Sequence, residues 1–74
     1  MTTPTTSPTA ADVRHHLELL FVERALASVE GLADNPQYMA DLNDEIDATR
    51  SAYVGAAVTE IATFRGQLSG RLNG

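Results

Sequence analysis

Cysteine is absent from the 74-residue chain, which excludes disulfides and thiolate metal sites and leaves the redox compartment open. Lysine is absent as well, and the five basic residues are all arginine: Arg14, Arg24, Arg50, Arg65 and Arg71. Arginine without lysine, beside abundant Ala, Thr and Gly, is the usage of a GC-rich genome such as an actinobacterium or its phage. No window approaches the roughly 18 consecutive apolar residues of a membrane span, so no membrane partner is expected. The first residues offer neither the basic nor the apolar region of a secretory signal. The expected location is therefore the cytoplasm, or a particle assembled there such as a virion. Ten acidic residues against five basic ones, a net charge of −5, argue against nucleic acid as a partner. Also missing are a Ser-His-acid arrangement, a glycine-rich phosphate loop and carboxylates paired in a concave pocket. The reading is accordingly non-enzymatic, with no cofactor and no small-molecule substrate.

What is there reads as all-α. Residues 1–7 are Thr/Pro-rich with almost nothing to bury, and are expected to form a flexible arm. Ser7 and Pro8 supply an N-cap and first-position signature, opening a first helix over about 8–33 that carries Val13, Leu17, Leu20, Phe21, Val22, Leu26, Val29 and Leu32 at helical spacing. From Leu17 to Val22 the apolar arc is too wide for one partner helix. Asp34-Asn35-Pro36 supplies a turn and repeats the cap signature for a second helix over about 36–72. A short connection makes the two antiparallel neighbours, so the expected fold is a two-helix hairpin spanning 8–74 behind the arm. A chain this short buries too little surface for a comfortable core, and completion by oligomerisation or a partner follows.

The second helix has two contact faces. Met39, Leu42, Ile46, Arg50, Tyr53, Ala57, Ile61, Phe64, Leu68 and Leu72 step three, four, four, an eleven-residue repeat that favours a nearly straight or slightly right-handed path. Opposite it, small residues at Ala48, Ala52, Gly55, Thr59, Ala62 and Gly66 form a ridge along which another backbone can approach. Folding the hairpin at Asp34-Asn35 brings Pro8 level with Ile61. Beyond that level Phe64, Leu68 and Leu72 have no helix-one partner, and each is worth roughly 1.5–3 kcal/mol once buried. The expected partner interface is therefore Gly55, Thr59, Ala62, Phe64, Gly66, Leu68 and Leu72.

Three polar features invite sharper readings. Arg50 falls at the centre of the large stripe and would need an acid if buried, with Glu18 and Glu23 within a turn of its level; the three are read as a buried, register-setting ion-pair group. An anionic ligand or a partner's carboxylate is the alternative for Arg50. His15, His16 and Glu18, with Glu45 or Asp44, suggest a metal-binding bundle, but the order of residues is reversed from the usual Glu-x-x-His pair and the hairpin alignment sets the histidines near Tyr53 and Val54. No metal ligand is therefore assigned. Asp41, Asp44, Glu45 and Asp47 complement the start of the helix dipole, with Arg65 and Arg71 near its end.

The expected function is a helical interaction or structural subunit that self-associates or docks into a larger protein assembly, a phage virion accessory protein being one setting. The alternatives are an acidic regulatory module that sequesters a cellular protein through Asp41, Asp44, Glu45 and Asp47, and a metal-binding helical bundle.

Overall fold

The computed structural model describes residues 8–73, with side chains as far as Gly70. Residues 1–7, read above as an arm, lie outside the described residues, as do the side chains of Arg71 and Leu72. The chain forms helix α1, Ala10–Glu30, a single 3-10 turn, Leu32–Asp34, and helix α2, Pro36–Asn73. The longest dimension is 60 Å, close to what α2 alone spans at about 1.5 Å per residue. The all-α hairpin expected from periodicity is the fold observed.

Helix α1 begins two residues later than Ser7-Pro8 implies. Thr9 is the N-cap: its hydroxyl oxygen accepts from the Asp12 amide at 3.1 Å, and Asp12 Oδ2 accepts from the Thr9 amide at 3.2 Å. This reciprocal box satisfies two backbone donors at once, one more than Ser7 alone would cap. At the other end Gly31 takes a left-handed conformation, φ 82°, and stops the helix as glycine readily does. Asn35 caps α2 as its sequence implies, its side-chain oxygen accepting from the Tyr38 amide at 3.1 Å, with Pro36 at the first position.

The reversal falls at Gly31 and Leu32, ahead of the expected Asp34-Asn35. Turning earlier slides α2 along α1, so Pro8 flanks Gly55 and Ala56 where Ile61 was expected. Glu45, not Tyr53 or Val54, reaches His16.

The core is a seam of buried residues at Val13, Leu17, Leu20 and Ala27 from α1 and Leu42, Ile46 and Thr49 from α2. On α2 the line runs from half-buried Met39 through Leu42, Ile46 and Thr49 to half-buried Tyr53 and Ala56. Its steps alternate three and four. On α1 the same alternation holds if Arg24 fills the place between Leu20 and Ala27. That is the seven-residue spacing of a pair of helices packed knobs-into-holes, and it corrects the eleven-residue repeat for this half of α2. Thr49 takes the seam position that the longer repeat assigns to Arg50. Arg50 is exposed.

Candidate protein-interaction site

Polar pairs close the hairpin along both flanks. On one, His16 Nε2 lies 3.3 Å from Glu45 Oε1, and the Tyr38 hydroxyl donates to Glu23 Oε2 at 2.6 Å. The bond to Glu23 raises the pKa of the Tyr38 phenol above its ordinary 10.0, because ionising it would destroy the bond; partial burial and the charges of Glu23 and Glu30 act in the same direction. On the other flank the Arg24 guanidinium carbon stands 5.2 Å and that of Arg50 5.9 Å from the Phe21 ring centroid, and Arg24 donates to Asn43 at 3.4 Å.

The polar group predicted at Arg50, Glu18 and Glu23 is not assembled. Arg50 approaches Asp47 at 4.0 Å, one turn away on its own helix. Glu18 pairs with Arg14 at 3.7 Å along α1, and Glu23 is taken by Tyr38. All three are exposed. The seven-residue seam turns Arg50 out of the interface between α1 and α2.

The acidic run also meets its own hairpin. Asp41 accepts from Gln37 at 2.8 Å, Glu45 contacts His16 and Asp47 contacts Arg50. Among the described residues no three His, Asp or Glu side chains gather where they could hold a metal ion.

The small-residue ridge lies beside the helix pair and not opposite its seam. Ala48 and Ala52 line one wall of a groove of about 360 Å³, with Pro8, Asp12, Val13 and His16 across from them. Gly55 and Thr59 continue it against Pro8 and Thr9. A Cβ added at Gly55 or Gly66 would meet nothing within 4 Å, so neither glycine makes room for anything within a single chain. Ala62 is exposed, and Thr59 donates its hydroxyl back to the Gly55 carbonyl at 2.9 Å.

Seven of the ten exposed large apolar side chains fall in two places, the others being Leu32 in the turn and Val54 and Val58 on the paired part of α2. Past Glu60, which accepts from the Ala10 amide, α2 runs on with no α1 alongside it, and Ile61, Phe64 and Leu68 are 55%, 60% and 42% exposed. Leu72, expected to extend this set, lies outside the described side chains. The second place was not singled out from the sequence: Leu19, Val22, Leu26 and Val29 form an exposed line on α1, facing away from α2. Their steps of three, four and three repeat the spacing of the inner seam. The wide apolar arc at Leu17 to Val22 was its sequence signal, since one helix was carrying two seams.

Among the described residues ten large apolar side chains stand exposed against six buried apolar ones. An isolated hairpin thus leaves ten large apolar side chains only partly removed from water. Comparison of the chain with protein-family models, curated proteins and solved structures finds no match.

Proposed function

We propose that this protein is a helical interaction subunit, non-enzymatic, that works by docking its uncovered apolar surface onto protein, either further copies of itself or a larger assembly. The observation that carries the reading is the C-terminal part of α2, where Ile61, Phe64 and Leu68 are exposed beyond the reach of α1. Covering what remains exposed of each recovers roughly 1–2 kcal/mol per side chain, a sizeable addition to the marginal stability of a domain this small. An accessory subunit of a multiprotein particle, such as a virion, is the setting in which so short a chain gains its missing core from neighbours.

Mass in solution tests the reading. The purified chain is expected to sediment as more than one copy, with little dependence on salt because the contact is apolar. A stable, compact monomer at every accessible concentration overturns self-association, and a monomer that also binds no apolar dye such as ANS overturns the reading as a whole. A complex led by Asp41, Asp44, Glu45 and Asp47 would instead weaken steeply as salt rises.

A further inference from the structure

We infer that the C-terminal overhang of one copy covers the outer α1 seam of a second copy. This deepens the proposed function and rests on it, naming both the partner and the two surfaces that meet.

Each surface lacks what the other has. The outer seam at Leu19, Val22, Leu26 and Val29 is bordered by Glu18 on one edge and by Glu23 and Glu30 on the other. Arg14, the neighbouring base, is already paired with Glu18. From Ile61 to Gly70 the overhang has a single charge, Arg65, and no acid. Two outer seams brought together would set carboxylates against carboxylates, and two overhangs would oppose arginine with arginine. Only the mixed pairing places Arg65 among the glutamates. Charge of this kind selects the partner surface, while the apolar side chains hold it.

Dimensions agree as well. Leu19 to Val29 rises about 15 Å along α1, and α2 continues from Ile61 to Asn73 for about 20 Å. The overhang backbone is long enough to run the length of the seam, and its apolar side chains from Ile61 to Leu68 span about 10 Å of it. Both lines are helical and exposed, so neither has to unfold or repack to dock.

The test uses two full-length variants, Leu68→Glu on the overhang and Leu26→Arg on the outer seam, with sedimentation equilibrium as readout and circular dichroism to verify the helices. Both positions are exposed, at 42% and 51%, so each variant is expected to keep its hairpin. Each alone should self-associate roughly 10- to 100-fold more weakly than the parent chain. Mixed one to one they should form a heterodimer, because Leu68→Glu retains an intact seam and Leu26→Arg an intact overhang. An oligomer disrupted by Leu68→Glu but indifferent to Leu26→Arg, or one that mixing does not restore, overturns this pairing while leaving the proposed function standing. A parent chain that stays monomeric until residues 2–7 are deleted overturns it too, showing that the chain's own N-terminal segment covers the overhang.

Discussion

The guanidinium of Arg50 rests 5.9 Å from the ring centroid of Phe21 on the flank of the hairpin, while Thr49 beside it is buried in the seam. Adjacent residues thus divide between solvent and core as their polarity alone favours, the guanidinium outside and the smaller hydroxyl inside. Arg50→Ala is expected to change unfolding free energy by less than about 1 kcal/mol, the scale of an exposed cation–π contact. Thr49→Val exchanges a hydroxyl for a methyl on the seam and should raise stability by up to about 1 kcal/mol. Urea unfolding of the two variants checks the pair, and a larger loss at Arg50 than about 2 kcal/mol would restore it to the core.

Why sequence periodicity chose Arg50 is physical. Between Met39 and Ile46 the seven- and eleven-residue repeats coincide, and they part only at the next step, where Thr49 and Arg50 compete. Composition breaks the tie wrongly, because beyond Tyr53 large residues at Ile61, Phe64 and Leu68 continue the eleven-residue line. Those residues are exposed in the hairpin, and so report on contacts outside the seam. The two helices, the Asn35-Pro36 cap and the uncovered end of α2 were legible, since each depends on local signals or on relative length. The reversal at Gly31 was less so: a lone glycine reads equally as a weak last turn, and only its left-handed backbone shows that the chain turns there.

That left-handed conformation separates two glycines which look alike in sequence. Gly31→Ala forces a Cβ into φ 82° and is expected to cost about 1 kcal/mol. Gly55→Ala lies in regular helix with open space around the added Cβ, and should stabilise the isolated chain by up to about 1 kcal/mol. Thermal unfolding of both variants reads the opposite signs. If Gly55→Ala instead lowers stability, and Gly55→Leu alters the mass in solution, the small ridge is packed against another chain.

The Thr9 box makes a comparison within a few residues of the N-terminus. Thr9→Ala removes the acceptor for the Asp12 amide and should cost about 1 kcal/mol. Ser7→Ala is expected to be silent. Equal losses at both positions, followed by helix content during denaturation, would return the helix start to Ser7.

Alkaline pH probes the link between Tyr38 and Glu23. The folded chain raises the Tyr38 pKa above the ordinary 10.0, so folding favours the protonated phenol. The contribution is therefore complete below the unfolded value and is lost as pH climbs through the raised folded value. Glu23→Gln should bring the tyrosinate absorbance of Tyr38 to lower pH. Tyr38→Phe should remove this alkaline loss of stability, and an unchanged profile in that variant would detach the bond from the fold.

Ile46 and Phe64 separate what holds one chain together from what the chain offers to another. Ile46 is 1% exposed at the centre of the seam, whereas Phe64 is 60% exposed on the overhang. Ile46→Ala is expected to cost about 2–5 kcal/mol through lost burial and the cavity it leaves, lowering the melting temperature at every protein concentration. Phe64→Ala should leave the melting temperature of the dilute chain within the small range of surface substitutions. Its effect belongs to concentration: self-association binds the folded state only, so the parent should melt higher as it is concentrated, and Phe64→Ala should flatten that rise. A parent whose melting temperature is independent of concentration, or a Phe64→Ala variant that destabilises the dilute chain as much as Ile46→Ala does, would place Phe64 inside the fold of a single chain.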